Sequence, residues 1–270
     1  MRRGWFLPIA ATLGFAFLYL PVISLVVFSF NENKLVTVWT GFSTKWYGEL
    51  FSDPQILGAA WLSLQIAFCV ATIALVLGTL AAVALVRFKK FRGRTVFAGT
   101  VSAPLVMPDV ITGVSLLLLF VAMESLIGWP SGRGVLTIII AHATFCTAYV
   151  AVVVQSRLAD FDLSLEEAAM DLGATPARVF FDITLPIIAP ALISGWLLAF
   201  TLSLDDLVIA SFVSGPGSST LPMVIFSKIR LGVSPDVNAL ATIIIGVVAL
   251  GVVLATIAQL RGRRQNAKRA

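Results

Sequence analysis

Two adjacent carboxylates lie inside a long apolar segment of this chain, where an ionised side chain is costly unless it faces a cavity or a partner. They are Asp205 and Asp206. A second apolar segment contains Asp109 and ends near Glu124. Neither segment contains a Lys or Arg to balance these acids. The excess of negative charge favours a positively charged solute along a membrane pathway, and we predict these four residues as its lining.

Each of the four acids also has a structural interpretation. Asp109 can cap a helix that restarts after a proline, and Glu124 can extend to the outer interface. Asp205 or Asp206 can instead bind backbone amides at a break in its helix. Adjacent helical residues point about 100° apart, so Asp205 and Asp206 cannot share a proton as a hydrolytic dyad does. We therefore predict no catalytic residue and no enzymatic activity.

The cysteines and the single histidine give no metal-binding pattern. Cys69 and Cys146 each lie in an apolar segment, where a thiol behaves as a small hydrophobic group. His142 has no neighbouring ligand at zinc-site spacing, so packing or hydrogen bonding is its expected role. We predict no metal and no cofactor.

The composition of the chain is that of a membrane protein. Its 270 residues are 59% hydrophobic and 12% charged, with a mean hydropathy of +0.98. About 20 apolar helical residues cross a bilayer, and six runs are long enough. They lie near 7–30, 58–86, 99–123, 135–154, 187–213 and 237–260. We predict an all-α protein with six membrane spans in one domain covering 1–270, carrying a cytoplasmic insert at about 156–186.

The basic residues predict the orientation of these spans. Most of the 19 Lys and Arg residues fall before span one, in the loops after spans two and four, or after span six. Short basic loops stay in the cytoplasm, so both termini are predicted to be cytoplasmic. This asymmetry accounts for the net charge of +5 and gives no indication of nucleic-acid binding. The basic residues on the predicted cytoplasmic side are Arg2, Arg3, Arg87, Lys89, Lys90, Arg92, Arg94, Arg157, Arg178, Arg261, Arg263, Arg264, Lys268 and Arg269.

The insert between spans four and five has the signals of a helix, a turn and a second helix. Ser164 and Glu167 have the spacing of a capping box, which predicts a helix start. Gly173 is placed to end that helix in a left-handed turn. Thr175 followed by Pro176 predicts the cap and first turn of the second helix.

The second helix is expected to end near Leu185, with Pro186 marking the entry to span five. Two short helices with small and apolar faces can dock into a groove of a partner protein. They can equally lie on the lipid surface as an amphipathic loop. Periodicity alone leaves both interpretations open.

A sequence signature in the insert resembles a known family. Residues 167–186 match the pattern E-A-A-x3-G-x9-I-x-L-P, which is typical of permease subunits of binding-protein-dependent ABC importers. The resemblance implies a type I importer fold and contact with a cytoplasmic ATPase subunit. Because the chain has no GxxxxGK[ST] loop, ATP hydrolysis is expected on the partner. The residues assigned to coupling by this resemblance are Glu167, Ala168, Ala169, Gly173, Ile183, Leu185 and Pro186.

Runs 103–113 and 203–217 and the outer-loop run 34–39 resemble permeases of polyamine importers, most nearly those for putrescine. This resemblance implies a polyamine cargo, since spaced carboxylates and apolar walls suit a chain of ammonium and methylene groups. It also implies a second homologous permease subunit and a periplasmic polyamine-binding protein, in the bacterial inner membrane. The outer segment 42–51 repeats aromatic and apolar residues at helical spacing, which favours an interfacial aromatic belt.

Other transport functions stay open at this point. The same machinery can serve another small solute, because the insert signature is shared across cargoes. An ion-coupled carrier would use membrane carboxylates as proton relays, but it would need no docking insert.

Overall fold

The computed structural model describes residues 5–34, 38–88, 90–232 and 235–267. Within these ranges the chain is almost entirely helical, and the only β contact is an isolated bridge between Asn31 and Phe42. The all-α prediction is therefore confirmed. Arg2, Arg3, Lys89, Lys268, Arg269 and residues 35–37, which entered the sequence predictions, lie outside the described residues, as do the side chains of Arg261, Arg263 and Arg264.

The helices are α1 Phe6–Phe28, α2 Lys45–Phe51, α3 Pro54–Arg87, α4 Arg94–Ser102, α5 Asp109–Ile127, α6 Val135–Ala159, α7 Ser164–Asp171, α8 Pro176–Val179, α9 Leu185–Asp205, α10 Val208–Val213, α11 Leu221–Leu231 and α12 Pro235–Ala267. A 3₁₀ turn, Ala103–Leu105, follows α4, and a π-helical turn, Phe180–Thr184, joins α8 to α9.

Among the described residues, five helical segments are long and apolar enough to cross a bilayer. They are Phe6–Phe28, Pro54–Arg87, Asp109–Ile127, Val135–Ala159 and Pro176–Asp205. The sixth predicted span corresponds to α12, whose described apolar part is Pro235–Gly251. Six predicted spans are thus consistent with the structure.

Two of the predicted spans are wrong in their continuity. The third, 99–123, is interrupted between α4 and α5, because the segment contains Pro104 and Pro108 and the helix restarts only at Asp109. The fifth, 187–213, begins earlier than predicted and breaks after Asp205. Both breaks lie beside acids that the sequence singled out.

The residue contacts divide into two compact units, one of which is residues 58–224. In this unit α6 packs along α9 and supplies the centre of the core, including Ile138, Cys146 and Val150. A Cβ on Gly78 of α3 would lie 2.7 Å from Cβ of Val150, so the two helices approach closely there. Cys146 is a buried core residue, whereas Cys69 is exposed on the surface of the chain.

The other unit combines residues up to 57 with those from 225 onward, and there α12 packs against α1 and α2. Trp46 and Leu50 of α2 are buried, and Trp46 Nε1 donates a 2.7 Å hydrogen bond to the Asn31 carbonyl. The aromatic-belt prediction is therefore wrong for this face of α2, which packs inside the unit, while Phe42 and Phe51 are exposed. The prediction of one domain over 1–270 stays a prediction.

A cation with two acidic partners lies in this second unit. Lys228 Nζ is 3.0 Å from Asp53 Oδ2 and 2.8 Å from Asp236 Oδ2. Burial lowers the pKa of Lys228, but the two hydrogen-bonded carboxylates outweigh burial and raise it overall. Burial likewise raises the pKa of Asp53, yet Lys228 and the backbone N–H groups of Gln55 and Ile56 lower it overall. Both charges therefore stabilise the folded unit at neutral pH.

Candidate functional site

The insert begins at an aspartate cap that differs from the predicted capping box. Ser164 is the first residue of α7, and its backbone N–H donates a 3.0 Å hydrogen bond to Asp162 Oδ1. Hydrogen bonds from the hydroxyl and backbone N–H of Ser164 lower the pKa of Asp162. The predicted Ser164–Glu167 box is wrong because the carboxylate two residues upstream occupies the helix start. Glu167 is exposed and makes no capping bond.

Helix α7 ends at Gly173 as the sequence predicted. Gly173 has φ +88°, and the N–H of Ala174 bonds to the Ala169 carbonyl at 3.1 Å. Together with the Gly173 N–H bond to the Met170 carbonyl, this is a Schellman motif, in which a left-handed residue satisfies the last carbonyls of the helix. The turn brings the exposed side chain of Leu172, 90% accessible, to the tip of the insert.

The second helix also begins where predicted. Thr175 has extended backbone angles, its Oγ1 accepts a hydrogen bond from the Arg178 N–H, and Pro176 is in the first helical turn. Val179 is buried against the rest of the unit. Arg178 Nε and Asp182 Oδ2 form an exposed ion pair at 3.1 Å on this helix.

The expected helix end at Pro186 is wrong. The chain is helical from Pro176 to Asp205 over 30 residues, and a π-helical turn lies just before the proline. The N–H of Leu185 bonds to the carbonyl of Phe180, five residues back. Because proline lacks an N–H and crowds the preceding turn, this wider turn lets the helix continue past Pro186. The insert is thus joined to α9 without an intervening loop.

The signature residues fall into two groups on this structure. Glu167, Ala168 and Gly173 are exposed on the insert, with Ala169 partly buried beside them. Ile183 and Leu185 are partly buried in and just after the π turn, and Pro186 is exposed. The first group is available to a partner, while the second shapes the junction with α9.

A neighbouring acid that the sequence analysis did not single out makes the stronger contacts. Glu166 Oε1 is 2.6 Å from Nη2 of Arg87, the last residue of α3. The same oxygen accepts a hydrogen bond from the buried Thr184 hydroxyl in the π turn. Arg87 also lies over the Phe161 ring, 5.2 Å from its centroid. No local pattern indicates this contact, because Arg87 and Glu166 are 79 residues apart.

The break in the predicted fifth span is built around Asp206. Helix α9 ends at Asp205, Asp206 has extended backbone angles, and α10 begins at Val208. Asp206 Oδ1 accepts a 2.8 Å hydrogen bond from the N–H of Ala210, so it satisfies a backbone donor in the first turn of α10. This is the structural role that the sequence analysis kept open for one of the two acids.

His142 of α6 also lies at this break. Its Nε2 is 3.1 Å from Asp206 Oδ1, and its Nδ1 is 2.9 Å from Ser203 Oγ in a buried hydrogen bond. The side chain of Asp206 is 10% exposed. The hydrogen bond to Ser203 confirms the predicted hydrogen-bonding role of His142. Sequence reasoning did not find that His142 lies beside Asp206.

The remaining acids differ in the exposure and hydrogen bonding of their side chains. Asp205 and Asp109 are exposed, and Asp109 is the first residue of α5, after the N-cap position of Pro108. One turn after Asp109, Gly113 meets Phe212 of α10, since a Cβ there would lie 2.6 Å from the ring. Glu124 lies near the other end of α5 and accepts a 3.0 Å hydrogen bond from the Gly132 N–H. Helix α10 therefore packs on α5 one turn after Asp109, and Glu124 belongs to a separate loop contact.

Among the described residues, no group of His, Cys, Asp and Glu is arranged to hold a metal ion. The signature residues of importer permeases thus lie on a helical insert next to membrane-spanning segments, as the resemblance implied. Residues 74–266 match the family described as "Binding-protein-dependent transport system inner membrane component", and the chain belongs to that family. It is a multi-pass inner-membrane subunit without enzymatic activity, and ATP is hydrolysed by a partner subunit.

The chain is also similar to individual permeases and to a solved transporter. The chain is 66% identical over 250 residues to the putrescine transport system permease protein PotI of Escherichia coli K12, covering 93% of this chain and 89% of the relative. It is 44% identical over 252 residues to the spermidine/putrescine transport system permease protein PotC of Haemophilus influenzae, covering 93% and 94%. A solved bacterial ABC transporter involved in import of the polysaccharide alginate shares the fold, with TM-score 0.73 at 18% identity over 96% of this chain and 98% of that chain.

Proposed function

We propose that this subunit forms part of the pathway by which putrescine, or a closely related linear polyamine, is imported at the expense of ATP hydrolysed on partner chains. The observation that carries the proposal is the 66% identity to a putrescine permease over nearly the whole chain. Because this relative is described as a putrescine permease, we expect the same cargo class for this chain. Uptake assays with a series of polyamines test it.

The acids near the break supply a chemical reason for a cationic cargo. Asp205 is exposed and has no charged partner within the described residues, so its carboxylate can take a substrate ammonium group. Asp206 accepts a hydrogen bond from the Ala210 N–H and lies 3.1 Å from His142 Nε2, so we assign it to fixing the break. We therefore assign the first ammonium contact to Asp205, with Asp109 as the candidate for the second. Glu124 is the weakest candidate because its carboxylate binds a loop N–H.

We further propose that the exposed part of the insert docks on the ATPase subunit. Glu167, Ala168 and Gly173 are exposed there beside the accessible Leu172 side chain, and a short helix with small and apolar side chains can dock into a groove of a partner. A second homologous permease subunit and a periplasmic polyamine-binding protein complete the assembly in this proposal. Outer segments 42–51 and 214–236 are the candidate contacts for the binding protein, and residues 233–234 of the second segment lie outside the described residues.

The test is uptake by the complete complex in proteoliposomes, with putrescine, spermidine and butylamine as competing solutes. Butylamine has the putrescine length with one ammonium group, so it separates recognition of two charges from recognition of the chain. Asp205→Asn is expected to raise the KM for putrescine about 10- to 150-fold, the range for losing a hydrogen bond to a charged group.

Asp182→Asn serves as the control, because Asp182 is an exposed acid in the insert, away from the break. Its KM is expected to match wild type. Equal KM values for wild type and Asp205→Asn would remove Asp205 from the pathway. Wild-type uptake of an unrelated solute with no competition by any polyamine would refute the cargo assignment.

A further inference from the structure

The carboxylate of Glu166 joins three elements of the unit formed by residues 58–224. It binds Arg87 at the end of α3 and Thr184 in the π turn that leads into α9, while Glu166 itself belongs to α7. The Phe161 ring, in the connection between α6 and α7, packs on the Arg87 guanidinium. Glu166 therefore connects α7 to the ends of two membrane-spanning helices, so a displacement of α7 acts on both through one side chain.

The burial of this contact distinguishes it from an ordinary surface ion pair. The side chains of Arg87 and Glu166 are 19% and 17% exposed, and Thr184 is buried. The Arg178–Asp182 pair on the same insert has side chains that are 76% and 61% exposed. Exposed pairs contribute little because water screens them, whereas a partly buried, charge-assisted pair is strong and geometrically specific. The chain thus provides a functional candidate and a matched control within 16 residues of each other.

Glu166 supplies the polar side-chain connection between α7 and the membrane-spanning segments. Among the described side chains of α7, Glu166 is the one that forms a hydrogen bond or ion pair with a membrane-spanning segment. The covalent connection to α8 passes through the left-handed turn at Gly173, and beyond the two adjoining residues nothing packs within 4 Å of the place where a side chain would begin there. This turn is held by its own Schellman hydrogen bonds, whereas the partly buried Glu166 contact reaches the membrane-spanning segments directly.

We propose that Arg87, Glu166 and Thr184 form a transmission contact that passes movement of α7 to α3 and α9 together. The three are positioning residues for coupling, since none of them touches substrate or nucleotide in this proposal. This inference rests on the proposed docking of the ATPase on the insert. It adds which side chains connect that docking helix to the membrane spans.

The experiment uses the complete reconstituted complex and measures the number of putrescine molecules imported per ATP hydrolysed. Glu166→Gln keeps the shape of the side chain and removes the charge. We expect its transport per ATP to fall about fivefold or more, the lower end of typical coupling energies. Basal ATPase activity and assembly of the complex are expected to be retained. Thr184→Val, which removes one donor at nearly constant volume, is expected to give a smaller loss of the same kind.

Two further variants separate coupling from simple structural support. The double exchange Arg87→Glu with Glu166→Arg restores an ion pair in the opposite sense. We expect it to recover part of the transport per ATP that Arg87→Glu alone and Glu166→Arg alone each lose. Asp182→Asn breaks the exposed pair on the same insert, and its transport per ATP is expected to equal that of wild type.

If Glu166→Gln and Thr184→Val both import as many putrescine molecules per ATP as wild type, the proposal is overturned. A parallel loss of ATPase activity, uptake and assembly, not recovered by the double exchange, would also overturn it and leave a purely structural role. If wild type hydrolyses ATP in response to its binding protein but imports no polyamine, the cargo assignment fails instead. In that case the transmission contact is tested by how strongly the binding protein stimulates ATPase activity. Weaker stimulation in Glu166→Gln than in wild type supports the contact, and equal stimulation contradicts it.

Discussion

Substitution of Gly173 tests whether backbone conformation at the tip of the insert matters for coupling. Gly173 has φ +88°, and no atom beyond the two adjoining residues lies within 4 Å of the position that a Cβ would take. A side chain there meets no steric clash, so the cost of substitution comes from the left-handed backbone alone. That cost is about 1–2 kcal/mol for an ordinary L residue, smaller for Asn and larger for a β-branched residue.

The structure therefore predicts an order of effects for three variants at Gly173. A strain of about 2 kcal/mol changes the equilibrium between the formed and the opened turn roughly 30-fold. Helices as short as α7, with 8 residues, have little stability of their own to absorb such a change. We expect transport per ATP to fall in the order Asn, Ala, Val, with Asn closest to wild type.

The assay is uptake and ATP hydrolysis measured in parallel on the reconstituted complex, with assembly checked by co-purification. Asn and Val differ little in bulk, so comparing them separates backbone strain from size at the docking surface. Equal coupling in the Asn and Val variants would refute the reasoning from φ. Coupling in the Ala variant above that of Asn would refute it as well.

Further predictions concern packing and the outer ion pairs. Lys228→Met removes a cation from two carboxylates. It is expected to lower the free energy of unfolding by about 1–3 kcal/mol, and with it the melting temperature of the complex. Because the pKa of Asp53 is lowered, its share of this stabilisation is present at neutral pH and lost as the pH falls through its folded pKa, below the usual aspartate range. The raised pKa of Lys228 means that its share is lost only as the pH rises through a value above the usual lysine range. The gap in melting temperature between wild type and Lys228→Met should therefore narrow in strong acid, and a constant gap would contradict the assignment. Gly78→Ala is expected to destabilise by about 1–3 kcal/mol because its Cβ would lie 2.7 Å from Val150, whereas Gly58→Ala in the same helix has open space and should be neutral or slightly stabilising. Equal melting temperatures for these two variants would contradict the close approach of α3 and α6.

Local rules predicted the parts of the insert that depend on a few consecutive residues. The turn at Gly173 and the helix start at Thr175 follow from backbone preferences that act within one turn, and the structure confirms both. The helix start at Ser164 was assigned to the wrong side chain because Asp162, two residues earlier, competes for the same donors. The continuation through Pro186 needed a π turn, which has no sequence signal of its own.

The contacts between distant residues were beyond prediction from one sequence. His142 and Ser203 are 61 residues apart, and each is an unremarkable polar residue in an apolar run. Only the packing of α6 on α9 brings His142 to the break at Asp206. The sequence could therefore indicate that an acid in the span was costly, while the group that compensates it depended on tertiary structure.

The uninterrupted helix from Pro176 to Asp205 imposes a condition on chain length. At 1.5 Å per residue its 30 residues extend about 45 Å, well beyond the hydrocarbon thickness of a bilayer. One residue inserted between Pro190 and Asp205 would rotate everything after it by about 100° and advance it by about 1.5 Å. Asp206 would then turn away from His142, and Asp205 would point in a new direction. Substitutions along this segment are consequently easier to accommodate than a single insertion or deletion.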